Sequence, residues 1–503
     1  MDELRENIQS KSNLIRLGSN TLQDLPSNIK IPTYDRSRLN AGIVHIGIGN
    51  FHRAHLSWYI HRLLEKGLGY DWSIIGSSVR KEDRRMREKL ISQNFLSTLI
   101  ELDPEGHNQA EIVGSMIDYV PIEKNNHSLI QIMSKPHVKI VSLTITEGGY
   151  YQDSISKTLD KKHPDIVHDI KNPKIPKTVF GAIIEALRIR REKGYGPFTG
   201  LCCDNLLENG NVFRKTVLGL ASLSNPELAK WINTYCSFPN SMVDCIVPTT
   251  GNSERKLVRS IGIDDAVPVT HENFRQWVIE DDFCAGRPEL ELVGAIFSNK
   301  VHQYENQKIR ILNGGHQILA NIAEILGLST IFQAMENPLI SKFFSKVEQE
   351  EIIPHVDDLP NSSTQDYLDL ITKRFSNKSV MDTVRRVAFD GSSRHPLFIF
   401  PSIYDGLNTQ HSINGLALVE AAWARMCEGT RENGSIIETN DPKWLYLHEH
   451  AKKARTNPIK WLEMNSIYGK LKNEQHFANA FQRWLKSIYD YGIEKTIKIY
   501  LAE

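Results

Sequence analysis

The first half of the chain alternates short β-branched segments with longer segments of helical periodicity, and this alternation stops near residue 300. Strands that alternate with helices form a parallel sheet whose two faces are covered by the crossover helices. From Tyr304 onward, the apolar residues recur almost wholly at the helical period. A chain of 503 residues also exceeds what one hydrophobic core organises. The sequence therefore predicts an α/β domain over residues 1–295 and a mostly α-helical domain over residues 296–503.

The β-branched runs of the first half give five strand candidates. They lie at residues 43–48, 73–76, 138–146, 198–203 and 242–247. Between the first two candidates, helical spacing is kept by Leu56, Tyr59, Ile60, Leu63 and Leu64. The order strand, turn, helix, strand is therefore predicted at the start of the sheet.

Charge and composition exclude several classes of partner. Sixty basic and sixty acidic side chains cancel, which removes the field that a nucleic-acid or anionic-membrane binder uses. The first twenty residues are polar, and no run approaches the 18 apolar residues of a membrane span. The six cysteines form no CxxC pair. We expect a small-molecule ligand, reduced thiols, a cytoplasmic location, and neither a membrane nor a nucleic-acid partner.

A glycine pair marks a candidate dinucleotide site. The run IVHIGIGNFHRAH places Gly47 and Gly49 between a predicted strand and a helix, where small residues let a pyrophosphate approach the helix amides. Position 52 is His, so the third glycine of the Rossmann fingerprint is absent. An ordinary strand-to-helix turn would also account for two glycines. We expect a Rossmann-type domain in which Gly47, Gly49 and Phe51 contact the cofactor.

An acidic pair follows the second predicted strand. A Rossmann site uses an acid there to bind the adenosine ribose hydroxyls and to repel a 2′-phosphate. The segment WSIIGSSVRKED offers Glu82 and Asp83, which favour NAD over NADP. The adjacent Arg80 and Lys81 could instead attract a phosphate. A solvated start of a charged helix is the structural alternative.

The segment KIRILNGGH carries the candidate catalytic groups. On an α-helix of about 100° per residue, Lys308, His316 and Asn313 lie at about 0°, 80° and 140° around the helix axis, so that all three can face one site. Oxidation of an alcohol needs a base for the hydroxyl proton and donors for the oxygen. Lys308 suits the first role and the Asn313 amide suits the second. Each residue alone also has an ordinary structural explanation, but helix interiors seldom contain Asn-Gly-Gly-His without a reason.

Two other dehydrogenase classes fit the sequence poorly. Tyr304 and Lys308 form the YxxxK pair of short-chain dehydrogenases, but those chains are about half this length and carry the pair in their single domain. No spacing of Cys and His resembles a tetrahedral zinc site, and the HEH at 448–450 lacks the i, i+4 geometry. We therefore expect no metal.

Six segments together resemble the polyol-specific long-chain dehydrogenases, the mannitol dehydrogenase family. They are HIGIGNFHRAH, SLTITEGGYY, CDNLLENG, FPNSMVD, KIRILNGGH and DGSSRHPLFIFPSI, and they follow the family's order over nearly the whole chain. The resemblance implies zinc-free, NAD-dependent oxidation of a sugar alcohol to a ketose. Most of all it implies oxidation of D-mannitol to D-fructose, by a chain that we expect to be monomeric.

The resemblance also implies roles for individual residues. Lys308 matches the general base, and Asn205 and Asn313 match the amide pair that stabilises the substrate oxygen. His316 matches a residue that orients substrate hydroxyls. The remaining matched positions are Asp244 and Arg386 for substrate binding, Glu147 for passing protons to solvent, and Glu82 and Asp83 for selecting NAD.

Three departures from the family pattern bear on the substrate. Arg394 stands where DGSSK has lysine, Cys245 follows MVD in place of the usual arginine, and Asn50 replaces a frequent glycine. A guanidinium does not reproduce a lysine's contact with a hydroxyl, so Arg394 leaves the preferred substrate open. The alternatives are oxidation of D-arabinitol and reduction of fructuronate, for which Arg394 would bind the carboxylate. A catalytically silent protein that binds NAD as a sensor is an alternative of another class.

Overall fold

The structure of the protein is a computed structural model that describes residues 14–152, 158–359 and 362–503. It divides into two compact units, of which the first ends at His302 and the second comprises Gln303–Glu503. The sequence places its boundary at 295/296. The first unit is an α/β Rossmann-type unit and the second is helical, so the predicted fold class is confirmed.

The first unit is organised around a five-stranded parallel sheet. Its strands are β1 (Ala41–Ile46), β2 (Ser73–Ser77), β3 (Met116–Tyr119), β4 (Ile140–Leu143) and β5 (Thr199–Cys202). They lie in the order β3-β2-β1-β4-β5, with every neighbouring pair parallel. In such a sheet the strand order reverses between β1 and β4, and ligands bind outside the carboxyl ends of the strands at that point.

Helices cover both faces of this sheet. The helix Leu56–Glu65 buries the five apolar residues whose spacing predicted it. The apolar side chains of β1 are fully covered, as expected for a strand with helices on both faces. The helices of this unit are Asn50–Ala54, Leu56–Glu65, Arg84–Ile91, His127–Met133, Pro164–Lys171, Val179–Lys193, Asn209–Ser224, Pro226–Tyr235 and Asn252–Ser260, and Val301–Gln307 spans the boundary.

Smaller sheets correct part of the strand prediction. The candidate at 242–247 is observed as Ser241–Asp244, which pairs antiparallel with Gln276–Ile279 outside the parallel sheet. Its assignment to the parallel sheet was wrong, because a short apolar run does not specify its pairing partner. The other short strands are Ile15–Arg16, Ser97–Leu102, Gln109–Val113, Ile263–Asp264, Val269–Glu272 and Ile296–Phe297.

The second unit packs helices around one large apolar core. Gly314–Leu326 is almost entirely buried at its centre, as is Asn414–Met426. The remaining helices are Ile331–Glu336, Pro338–Val347, Thr364–Phe375, Val384–Ala388, Gly391–Phe398, Phe400–Thr409, Trp444–Ala454, Ile459–Leu462, Asn465–Tyr468, Gln475–Tyr491 and Ile493–Ala502, with π-helical turns at Lys308–Asn313 and Glu348–Ile352. In the three described ranges of the chain, no helix has both the length and the apolar character needed to span a membrane.

Candidate active site

The two glycines after β1 have different structural requirements. Gly47 has φ +106°, and a Cβ at this position would lie 2.0 Å from the carbonyl oxygen of Thr144. Only glycine fits there. Gly49 precedes the helix Asn50–Ala54, and a Cβ on it would meet no atom within 4 Å. The turn is therefore closed against the sheet at Gly47 and open at Gly49, as close approach of a ligand to the backbone requires.

A pair of stacked histidines lies where the usual fingerprint has its third glycine. The rings of His45 and His52 are 3.7 Å apart at 18°. The ring nitrogens of His45 are held by the hydroxyls of Ser142, at 2.8 Å, and Thr144, at 2.9 Å. Burial lowers the pKa of His45 to about 3 and that of His52 well below its usual value. Two neutral rings thus join the glycine turn to β1.

A cleft of about 330 Å³ begins beside this turn. Asn50 is fixed there by hydrogen bonds from its amide to Pro248 O, at 3.0 Å, and Thr250 Oγ1, at 2.9 Å. Arg53 donates to the Asn50 side chain at 2.8 Å and to the carbonyl of Val267. The cleft is lined by Asn50, Arg53, Met86, Lys89, Val247, Pro248, Thr249, Thr250, Arg255, Ala266, Val267 and Pro268.

The other predicted cofactor residues lie close to this turn or after β2. Phe51 follows the turn, and its ring stacks on that of His55 at 4.7 Å. Glu82 is exposed in the 3₁₀ turn Lys81–Asp83. The Asp83 carboxylate accepts a hydrogen bond from the Ser78 hydroxyl and another, of 3.3 Å, from Arg80 Nε. The acidic pair thus follows the carboxyl end of β2, where the sequence places it.

A residue that sequence reasoning missed joins the turn that contains Asn205 to the strand that ends at Asp244. The buried Asn209 donates to the carbonyls of Asp204, at 3.1 Å, and Ser241, at 2.7 Å, and accepts from Ser241 N at 2.8 Å. Asn205 is exposed in the turn after β5, whereas Asp244 is buried at the end of its strand. Asn209 belongs to the CDNLLENG segment, so its motif was visible but its role was not.

A second missed residue holds the turn that contains Glu147. The Asp204 carboxylate accepts hydrogen bonds from Ile145 N at 3.1 Å, Thr146 N at 2.9 Å and the Tyr150 hydroxyl at 2.6 Å. Thr146 has φ +66°, an unfavourable conformation for a β-branched residue that these bonds stabilise. The backbone of Glu147 lies in the 3₁₀ turn Glu147–Tyr150, and its side chain lies outside the described residues.

The segment with Lys308 is a π-helix and not the α-helix assumed from the sequence. It spans Lys308–Asn313, and the N–H of Gly314 donates to the carbonyl of Ile309, five residues back. The angles derived from α-helical geometry were therefore wrong. Hydrogen bonding from i to i+5 brings residues five apart closer to one side of the turn than an α-helix does, and such turns occur frequently at functional sites. Lys308 is buried, and Asn313 Oδ1 has no hydrogen-bond partner within the described ranges.

His316 and Arg386 meet at a third missed residue, Asp382. Arg386 donates to Asp382 Oδ1 from Nε at 2.7 Å, and its NH2 lies 2.6 Å from the same oxygen. His316 Nε2 lies 3.4 Å from Asp382 Oδ2. Burial lowers the pKa of His316. Burial alone would raise the pKa of Asp382, but the charge of Arg386 and the contact with His316 bring it to about 2. At neutral pH the carboxylate is therefore ionised and the imidazole is neutral.

Arg394 contacts the main chain beside Arg386. Its NH1 group lies 3.2 Å from the Arg386 carbonyl and 2.6 Å from the Val387 carbonyl. The side chain is half-buried. The structure thus places Arg394 close to the other predicted substrate residue of this unit, with part of its guanidinium engaged by backbone oxygens.

Models of one protein family cover both units. The model described as the mannitol dehydrogenase Rossmann domain matches residues 41–292, and the mannitol dehydrogenase C-terminal domain matches residues 300–489. Together they cover most of the chain, and each coincides with a unit of different secondary structure.

Relatives and solved structures match over nearly their whole lengths. A mannitol 2-dehydrogenase of Cereibacter sphaeroides is 50% identical over 471 residues, which cover 94% of this chain and 98% of that protein. The enzyme of the same name from Aspergillus terreus is 38% identical, with 94% and 96% covered. The Pseudomonas fluorescens mannitol 2-dehydrogenase, solved with NAD and D-mannitol, has a TM-score of 0.90 at 38% identity, with 97% and 100% covered. A substrate-free D-sorbitol dehydrogenase has a TM-score of 0.87 at 33% identity, with 96% and 100% covered.

Proposed function

The chain belongs to the mannitol dehydrogenase family, and we propose that it catalyses the NAD-dependent, reversible oxidation of D-mannitol to D-fructose. The observation that supports this proposal is the π-helical turn Lys308–Asn313, which begins at a buried lysine and ends at an asparagine. A base and an amide in one short turn match the needs of alcohol oxidation, in which a proton leaves the oxygen as hydride leaves the carbon.

The residues of this chain have separate tasks in the proposed reaction. Lys308 takes the proton of the C2 hydroxyl during oxidation and returns it during reduction. The amides of Asn205 and Asn313 donate hydrogen bonds to the same oxygen, whose negative charge grows in the transition state. Glu147 passes the proton on to solvent. His316, Asp244, Arg386 and Arg394 bind the hydroxyls that do not react and thereby orient C2.

The turn after β1 fits a dinucleotide. The space above Gly49 admits a ligand at the backbone, and Gly47 holds the turn against the sheet. Gly47, Gly49 and Phe51 would hold NAD there, with Glu82 and Asp83 on the adenosine ribose. When bound, NAD supplies the carbon that accepts the hydride. A carboxylate pair repels a 2′-phosphate, so we expect NADH to be used in preference to NADPH.

The proposed mechanism requires no metal, because Lys308 itself accepts the proton. Within the described residues, the one group with metal-binding geometry is Asp103, Glu105 and His107, two of which are exposed. Dialysis against EDTA should leave kcat unchanged within twofold. A loss of activity that zinc restores would contradict this part of the proposal.

The decisive experiment follows NADH and NADPH oxidation at 340 nm with D-fructose, D-xylulose and D-fructuronate. We expect turnover with NADH and D-fructose, and Lys308→Ala should lower kcat by about 10²–10⁴-fold. Lys300→Ala, which changes an exposed lysine nearby in the sequence, is the matched control. Turnover of another substrate alone would refute the mannitol assignment, and tight NADH binding without any turnover would favour a sensor.

A further inference from the structure

A buried carboxylate that no sequence motif indicated contacts two of the residues proposed to bind substrate. Asp382 is only 4% exposed. Its backbone is held from two directions, since its N–H donates to Val380 O at 2.9 Å and its carbonyl accepts from Ile331 N at 3.0 Å. The Cα of Asp382 is therefore held in place, and its carboxylate can orient the side chains that are hydrogen-bonded to it.

The first partner of Asp382 is Arg386. Two nitrogens of the guanidinium converge on Asp382 Oδ1, at 2.6 Å and 2.7 Å. The Arg386 side chain remains 48% exposed, so its inner edge is held while the rest can donate outward. The pair carries no net charge. Arg386 therefore offers hydrogen bonds to a ligand without offering an uncompensated positive charge.

The second partner is His316. Asp382 Oδ2 and His316 Nε2 are both buried and face each other at 3.4 Å, and neither atom has a hydrogen-bond partner within the described ranges. An ionised carboxylate only accepts hydrogen bonds, so the proton of the neutral imidazole belongs on Nε2 and leaves Nδ1 as an acceptor. Phe375 fixes the ring plane by stacking at 4.3 Å, and the other charges acting on the imidazole are those of Arg374 and Arg386.

We infer that Asp382 is a positioning residue that holds His316 as a hydrogen-bond acceptor, neutralises Arg386, and so selects an uncharged polyol over a sugar acid. A hydroxyl can donate to His316 Nδ1 while a second hydroxyl accepts from Arg386. A carboxylate has no proton to donate to Nδ1, and the charge of Arg386 is already balanced by Asp382. This inference rests on the proposed function and adds the property that separates substrates.

The test compares D-fructose with D-fructuronate in Asp382→Asn. The substitution keeps the size of the side chain and removes the charge, so Arg386 becomes an unpaired cation. We expect kcat/KM for fructose to fall at least tenfold, chiefly through KM, and the ratio of fructuronate to fructose to rise at least tenfold. Where fructuronate turns over too slowly, its competitive inhibition constant against fructose replaces its kcat/KM.

The matched control is Asp441→Asn in the same unit. Asp441 is also 4% exposed, but it accepts from the backbone N–H groups of Ser392 and Lys443, both at 2.7 Å, and touches neither His316 nor Arg386. A purely structural defect lowers kcat/KM for fructose and for fructuronate by the same factor. Asp441→Asn should therefore keep the ratio of fructuronate to fructose within twofold of the parent value. An unchanged ratio in Asp382→Asn would overturn the inference.

A second readout does not depend on turnover. Nitrogen-15 spectra of histidine-labelled protein, with His316→Gln used to identify the signal, should show the Nε2–H form in the parent and its loss in Asp382→Asn. An Nδ1–H form in the parent would refute the inference. If the parent turns over none of the substrates, the proposed function fails, and the spectra still decide whether Asp382 sets the proton position on His316.

Discussion

At the scale of single residues, Gly47 and Gly49 separate folding from cofactor binding. Gly47→Ala puts a Cβ at positive φ and against Thr144 O, which should cost at least about 2 kcal/mol and lower the melting temperature by several degrees. Gly49→Ala puts a Cβ into open space, so the melting temperature should stay unchanged while the Kd for NADH rises about tenfold. Thermal scans and NADH fluorescence titrations measure the two effects. Equal losses of stability in both variants would contradict this division.

The residues that the sequence could indicate are those with unusual chemistry for their place. Lys308, Asn313 and His316 stand out because polar and glycine residues interrupt an apolar helical pattern. Asp382 did not stand out, because an acid before a short helix is ordinary and its contact with His316 joins residues distant in the chain. Asn209 was missed because its partner Ser241 is also distant in the sequence. A single sequence shows residue type and local spacing, but not which buried polar groups meet.

At the scale of elements, the helix Gly314–Leu326, which follows the first π-helical turn, packs at Gly315 against the start of the second π-helical turn. A Cβ there would lie 2.9 Å from both Glu348 Oε1 and Phe344 Cε2, whereas a Cβ on Gly314 would meet nothing closer than 3.4 Å. Gly315→Ala should therefore cost about 1–3 kcal/mol and lower kcat, because His316 is the next residue and Asn313 lies two residues before it. Gly314→Ala should be neutral or stabilising by up to about 1 kcal/mol. Denaturant unfolding and turnover measure both, and a tolerated Gly315→Ala would contradict the packing argument.

Glu348, in the second π-helical turn, gives a prediction of pH dependence. The side chain is fully buried, neither carboxyl oxygen has a partner in the described part of the chain, and burial raises its pKa well above 4.5. The folded chain keeps this proton while the unfolded chain releases it, so stability falls as the pH rises above about 4.5. A tenfold difference in proton affinity corresponds to about 1.4 kcal/mol.

Glu348→Gln should remove this pH dependence. The melting temperature of the variant minus that of the parent should therefore increase as the pH rises from 5. Glu336→Gln, which changes an exposed glutamate of the same unit, should show a constant difference. A flat difference for Glu348→Gln would mean that the buried carboxyl is not protonated in the folded chain.

The limits of prediction for elements follow from what periodicity measures. Four of the five strand candidates are in the parallel sheet, with ends shifted by at most three residues. The edge strand Met116–Tyr119 was missed because four residues containing an aspartate give no clear pattern. The π-helical turn at Lys308 was taken as α, because both helix types bury one side of a short segment. Local spacing therefore indicates an element more reliably than its hydrogen-bonding pattern.

At the scale of the whole molecule, each unit has hydrophobic cores of its own. The buried members of the large cluster of the second unit come from residues 311–500 of the sequence, and those of the two main clusters of the first unit come from residues 34–295. The change in the spacing of apolar residues near residue 300 predicts this division, because a parallel sheet and a helical bundle bury apolar residues at different spacings. We therefore expect the two units to unfold in separate calorimetric transitions.

Ligand binding should distinguish those transitions. A ligand bound only by the folded state stabilises it by about 2.7 kcal/mol at one hundred times its Kd. Gly47→Ala lowers the transition temperature of the first unit and thereby identifies its transition, and the transition that Glu348→Gln shifts is that of the second unit. NADH at one hundred times its Kd should raise the transition temperature of the first unit and should change that of the second unit much less. In Gly49→Ala the same NADH concentration should have about a tenfold smaller ratio to Kd, which reduces the stabilisation by about 1.4 kcal/mol. A single transition that shifts as a whole would show that the two cores unfold together, and separate folding of the units would then have to be abandoned.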